Sequence, residues 1–309
     1  MKMALTMKST SMNLKEDLVK SDISKVALPK EKLMHSFFLL AASISVIAVV
    51  LICIFIFANG IPAIVKIGFT NFIFGKTWAP EQDLYGIFPM IVGSIVVTLM
   101  ALVLGVPLGI LTAVFLARFC PKWLYSPLKK GVDLLSGIPS VVFGFIGLTA
   151  VVPVIRSLFG GSGASILAAS IVLAIMILPT IASVTESSIR SVPQSYYEGS
   201  LALGACRERS IFLVELPAAK SGIMAGVILG LGRAIGETMA VIMVAGNQAM
   251  LPRALTKGTR TMTANVVLEM GYASGLHREA LIATAAVLFV FILIINLLCL
   301  LSSRGGKKS

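Results

Sequence analysis

The sequence predicts an all-α polytopic membrane protein with six transmembrane helices, and three observations carry that prediction. Of 309 residues, 57% are hydrophobic and 13% charged, and the mean hydropathy is +0.96. A soluble chain of this size could not cover its remaining surface with so few charges. Second, six windows reach the roughly 20 apolar residues needed to cross a hydrocarbon core. Third, with both termini placed in the cytoplasm, the inside segments hold 18 basic residues and the outside segments 7. That is the positive-inside bias.

In chain order, residues 1–35 form a polar, basic segment expected in the cytoplasm, and 36–59 form a first, peripheral helix. That apolar run is too long for a signal-peptide core and lies behind a polar segment, so it reads as an uncleaved anchor. Residues 60–86 belong outside, where Pro62, Gly68, Gly75 and two lysines suit the interface better than a span. Further spans are expected at 87–117, 131–155, 163–185, 221–246 and 280–302, within a main transmembrane body at 87–303. Pro107, Pro139, Pro153 and Pro179 interrupt these runs, as occurs where neighbours or water satisfy the freed carbonyls. A basic tail, 304–309, closes the chain on the cytoplasmic side. Trp78 outside and Trp123 inside suit the two aromatic belts, and the four cysteines suit small apolar fillers.

The net charge of +12 is mostly explained by topology. No basic stripe is interleaved with aromatics, so nucleic acid is not an expected partner and the lipid bilayer is. There is no nucleotide-cradling loop, nucleophile elbow or zinc-protease motif, so this chain is not expected to be an enzyme or to hold a cofactor.

Two stretches stand out. The polar segment 191–220 reads as two short helices, with Pro193 at the start, Gly204 at the corner and Pro217 near the next span. Within it, Glu198-Gly199-Ser200 is followed three residues later by Gly204 and nine residues after that by Val214-Glu215-Leu216-Pro217. A solvated loop is the alternative reading. The second stretch is Gly232-Arg233-Ala234-Ile235-Gly236-Glu237-Thr238, near the middle of the fifth span. Each charge there costs about 2.5 to 3.5 kcal/mol, so neither is incidental. A spacing of four puts both on one face of a continuous helix, where carboxylate and guanidinium can neutralise each other. Either the arginine offers forked donors to a passing oxyanion, with Glu237 holding it, or the pair fixes packing. Gly226 with Gly230, and Gly232 with Gly236, would admit neighbouring helices closely.

Asp133 and Glu186, at the ends of two spans, suit interfacial snorkelling. His277, beside Arg278 and Glu279, suits a satisfied outer imidazole better than a metal ligand.

The spacing Glu198, Gly204, Leu216, Pro217 resembles the EAA-type signature of ABC importer permeases, with Gly199, Ser200 and Val214 departing from the usual residues. The stretch from Gly230 to Val241 is similar to the phosphate-specific members of that family, as are Asp83–Ile87, Gly137–Gly144 and Ser274–His277, the first and last of these three resembling the PstC type and not its PstA partner. The resemblance implies a type I ABC importer (MetI-like) permease fold in the bacterial inner membrane. It implies ATPase coupling through Glu198, Gly204, Leu216 and Pro217, and phosphate passage at Arg233 and Glu237. It implies a PstA-like second permease, a dimeric PstB-like ATPase holding ATP and Mg, and a periplasmic PstS-like phosphate-binding protein. Sulfate or molybdate remains the alternative cargo. A stand-alone secondary transporter or channel is the more distant alternative, for which no inverted repeat is visible.

Overall fold

The computed structural model describes residues 29–304. Residues 1–28 and 305–309, with most of the basic ends expected in the cytoplasm, lie outside the described residues. Contacts divide the chain into two units, Met1–Phe55 and Ile56–Ser309. In the first, helix α1 (Pro29–Ile67) exposes every side chain from Leu33 to Phe55 except the half-buried Cys53. An apolar helix so exposed needs lipid or another protein around it.

The remainder of α1 belongs to the second unit. The helix does not stop at 59 but runs through Pro62, which removes only the bond to the Ala58 carbonyl, and ends where Gly68 takes φ 90°. The residues expected at the interface are thus partly helical. A short helix α2 (Phe69–Phe74) leads to an antiparallel hairpin of β1 (Trp78–Ala79) and β2 (Leu84–Tyr85). Trp78 is buried there and not in a lipid-facing belt, whereas Trp123 is 78% exposed.

Helix α3 (Phe88–Val114) continues as a π-helical turn, Phe115–Phe119. The expected span 131–155 is two elements. Helix α4 (Lys122–Gly137) stops because Pro139 excludes helical backbone at Ile138. A new span then begins with α5 (Ser140–Ile146), passes a π-helical turn Gly147–Val151 and ends with α6 (Val152–Phe159). Helix α7 (Ile166–Arg190) starts with the Ser165 hydroxyl accepting from the Ala168 N–H at 3.2 Å and extends a turn beyond the predicted 185.

Next come α8 (Gln194–Ala202), α9 (Arg207–Ser210), a π-helical turn Ile211–Glu215 and α10 (Leu216–Ala218). The chain then bends by 71° into α11 (Lys220–Gly236). The fifth predicted span is broken, since Glu237 and Thr238 separate α11 from α12 (Met239–Val244). Helix α13 (Met262–Glu269) precedes the last span, α14 (Gly275–Arg304). Among the described residues, five helical stretches are long and apolar enough to cross a bilayer, or six if the run bent by 71° that ends in α11 is counted as one span.

Helix α7 is the centre of this unit, with 67% of its most apolar window buried. Its upper half packs with Val97, Phe143, Val241 and Val244, and its lower end with Ala113, Val114 and Ile211. Glycines let the flanking helices close on it: a Cβ on Gly109 of α3 or Gly230 of α11 would lie 2.8 Å from an Ile181 side-chain atom. The Gly226–Gly230 pair is therefore a packing face, as expected. A Cβ on Gly232 or Gly236 meets nothing within 4 Å, so the second pair does not pack within this chain.

Candidate functional site

The polar segment after α7 forms a helical corner. Glu198 stands exposed on α8 and accepts from Gln194 Nε2 at 3.0 Å. The corner turns at Gly204, whose φ of +84° lies in the left-handed region that favours glycine. Leu203 beside it is 91% exposed, an apolar tip aimed away from the rest of the chain. Leu216 is half-buried and Pro217 exposed in α10, which continues the π-helical turn without a break. The four residues singled out by spacing therefore lie along one projecting segment. Cys206, at the same corner, is exposed and no apolar filler.

The midspan stretch is arranged differently from the continuous helix expected. Arg233 occupies the last turn of α11, and Glu237 has left the helix with φ −68° and ψ 129°. The two glycines, poor helix formers, flank Arg233 in the last turn before this break. The Glu237 carboxylate accepts from the Ala240 N–H at 3.1 Å and so serves α12. The ion pairs among the described residues do not include Arg233 with Glu237. The half-buried Arg233 makes one long contact, from Nη1 to Thr180 Oγ1 at 3.5 Å. A guanidinium carries five N–H donors, so most of its hydrogen-bonding capacity is unspent. Thr263, from the buried start of α13, donates to the Glu237 backbone carbonyl at 3.2 Å and steadies the break.

With this geometry in hand, the chain can be set beside known proteins. Residues 105–305 match the family described as binding-protein-dependent transport system inner membrane component. The probable ABC transporter permease protein YqgH of Bacillus subtilis is 40% identical, over 83% of this chain and 87% of its own. The phosphate transport system permease protein PstC of Pasteurella multocida is 34% identical, over 77% of this chain and 81% of its own.

The chain belongs to this permease family. Solved structures agree on the fold. A chain of the MetNI methionine ABC transporter superposes with TM-score 0.54 at 19% identity, covering 75% of the permease and all of that chain. One of a bacterial alginate ABC transporter superposes with TM-score 0.57 at 17% identity, covering 90% and 98%.

The permease also contains two buried charge clusters that spacing did not reveal. At one end of α7, the Glu186 carboxylate is 3% exposed and meets Tyr125 Oη at 2.7 Å, Lys129 Nζ at 3.1 Å and Arg190 Nε at 2.9 Å. Lys129 also pairs with Asp133 at 3.3 Å and donates to Ser183 at 3.0 Å. Asp133 and Glu186 thus meet through Lys129 and do not merely snorkel. Burial draws the Lys129 ammonium down, but its hydrogen bond and attraction to Glu186, then Asp133, hold it above the ordinary lysine value. The hydrogen bond to Glu186, with burial, raises the Tyr125 phenol.

The second cluster centres on Glu269, which accepts from Trp78 Nε1 at 2.8 Å, pairs with Arg260 and lies 2.8 Å from His277 Nε2. It fastens the hairpin and α13 to the start of α14, so His277 is an internal strut and not a surface imidazole. Its partners are separated by up to 191 positions, which no local pattern could signal.

Proposed function

We propose that this permease carries inorganic phosphate across the bacterial inner membrane as one subunit of an ABC importer, with both termini cytoplasmic. The observation that carries the reading is the Arg233 guanidinium, held in the last turn of a helix that breaks within the span and left with one 3.5 Å contact. Discontinuous spans with polar groups at the break are where transporters bind charged cargo. A multiply charged anion cannot enter low dielectric without a counter-charge, and a guanidinium meets an oxyanion with paired donors. Relatives named as phosphate transport permeases, at 33 to 36% identity, favour phosphate over sulfate or molybdate.

In this reading a PstS-like periplasmic protein delivers phosphate and a PstA-like permease completes the path. A dimeric PstB-like ATPase, holding ATP and Mg, seats the segment from Glu198 through Gly204 to Leu216 and Pro217. Arg233 supplies the attraction in the path, and Glu237 shapes the break beside it.

Uptake of radiolabelled phosphate tests this in cells lacking the chain, complemented with wild type or Arg233→Gln, with sulfate and molybdate measured in parallel. The expected result is restoration of phosphate uptake alone by wild type and its loss in Arg233→Gln, with the assembled complex still recovered. Normal uptake by the variant would remove Arg233 from the path, and a response of another oxyanion alone would overturn the cargo.

A further inference from the structure

We infer that Arg118 is the positioning residue that ties the projecting corner to spans α3 and α7. This rests on the proposed reading of that corner as the ATPase contact.

A helix end leaves carbonyls without intrahelical partners, and cations near it also complement the helix dipole. Here three arginines satisfy such carbonyls on elements other than their own. Arg118 Nη2, from the π-helical end of α3, donates to the Ile189 carbonyl at the end of α7 at 3.2 Å. Arg190 Nη2, from α7, donates to the Leu116 carbonyl of that π-helical end at 2.9 Å. Arg207 Nη2, from the corner, donates to the Arg118 carbonyl, and its guanidinium lies 5.1 Å from the Phe119 ring centre.

One ion pair joins this ring of contacts to the corner. Arg118 Nε donates to Glu215 Oε2 at 2.8 Å, and Nη2, which donates to the Ile189 carbonyl, lies 2.7 Å from Oε1. The Glu215 side chain is 1% exposed and that of Arg118 27%. A carboxylate so buried cannot leave its partner cheaply. Displacement of the corner therefore pulls Arg118, and through it the ends of α3 and α7. Arg190 carries the link onward to Glu186 at 2.9 Å, and Glu186 to Lys129 of α4 at 3.1 Å. Without the strut, the corner keeps, of these contacts, only those of Arg207 to the Arg118 carbonyl and the Phe119 ring, and the 71° bend between α10 and α11 can act as a hinge while the spans lag.

The test uses the complete importer in proteoliposomes with its binding protein, reading phosphate moved per ATP hydrolysed. The main variant is the double replacement Arg118→Met with Glu215→Leu, which removes both charges and keeps apolar volume, a change that buried pairs often tolerate. Arg118→Lys is the conservative control, keeping a cation opposite Glu215 and losing the second guanidinium donor, which serves the Ile189 carbonyl. The double variant is expected to assemble with the ATPase and hydrolyse ATP while phosphate per ATP falls about tenfold, a usual size for coupling between two sites. Arg118→Lys is expected to lie between the two. A wild-type ratio in the double variant would overturn the inference, as would its failure to assemble, which would assign the pair to folding. Wild type that retains no ATPase would overturn the reading of the corner along with the strut. If wild type moves another oxyanion, the ratio is taken with that ion and the same outcomes decide.

Discussion

The corner at Gly204 allows a substitution series in which conformation and bulk make opposite forecasts. Its φ is +84°, and a Cβ built there meets nothing within 4 Å. The cost of a side chain within this chain is therefore the backbone term alone, about 1–2 kcal/mol for an ordinary L-residue in the left-handed region. That corresponds to about a 5- to 30-fold fall in the population of correctly turned corner. A β-branched side chain tolerates the region less well, while asparagine visits it readily. The expected order of transport per assembled complex is therefore Gly, then Asn, then Ala, then Val, with Gly204→Val uncoupled or stripped of its ATPase. The assay is co-purification of ATPase with tagged permease, followed by uptake in the same cells. Asparagine is bulkier than alanine, so a series that followed size, with Gly204→Asn worse than Gly204→Ala, would place the effect in a steric contact with the ATPase. Normal coupling in Gly204→Val would refute the corner's role altogether.

Two further outcomes are expected. Gly230→Ala places a Cβ 2.8 Å from Ile181, a β-branched residue with little freedom to turn aside, and should lower stability by about 1–3 kcal/mol. Gly232→Ala meets nothing and should leave the thermal midpoint of the detergent-solubilised permease unchanged or raise it through about 1 kcal/mol of helix propensity. Equal loss in both would contradict the packing assignment. The second outcome concerns pH: Lys129 and Tyr125 both titrate above their ordinary values of 10.5 and 10.0. Protons are thus held more tightly in the folded state, so their contribution is full below about pH 10 and lost as pH rises through the folded values. The thermal midpoint should fall as pH rises above about 10 in wild type and fall less in Glu186→Gln; parallel curves would assign the alkaline loss elsewhere.

The number of spans, the positions of most of them and the projecting corner were legible because hydropathy and the spacing of Glu198, Gly204, Leu216 and Pro217 are local properties. Pro139 is equally local, and its exclusion of helical backbone at Ile138 is what separates α4 from the third span inside one apolar run. The strut and the two buried clusters were not legible. Arg118 lies 97 positions from Glu215 and Glu186 lies 61 from Tyr125, so only the packing of α3, α4, α7 and the corner brings them together. The i, i+4 spacing of Arg233 and Glu237 misled for a related reason. It implies contact only on an unbroken helix, and two glycines with a following threonine make this segment a poor one.

The break gives Glu237 a role distinct from neutralising Arg233. On a continuous helix the carboxylate would occupy the guanidinium, and an entering oxyanion would have to displace it. In the broken helix the same carboxylate satisfies the Ala240 N–H at 3.1 Å, and the arginine keeps its donors. In the proposed reading the break thus converts a closed ion pair into an open cation, at the expense of an unpaired intramembrane charge costing about 2.5 to 3.5 kcal/mol. Oxyanion binding can offset that cost. If capping is what Glu237 contributes, Glu237→Gln keeps an acceptor oxygen and should retain most phosphate uptake. Glu237→Ala loses the acceptor, worth about 0.5–2 kcal/mol at a helix start, and should lose most of it. Initial uptake rates at equal complex abundance separate the cases. Equal loss in Gln and Ala would mean that the negative charge itself is required, and that Glu237 pairs with Arg233 in another state of the cycle.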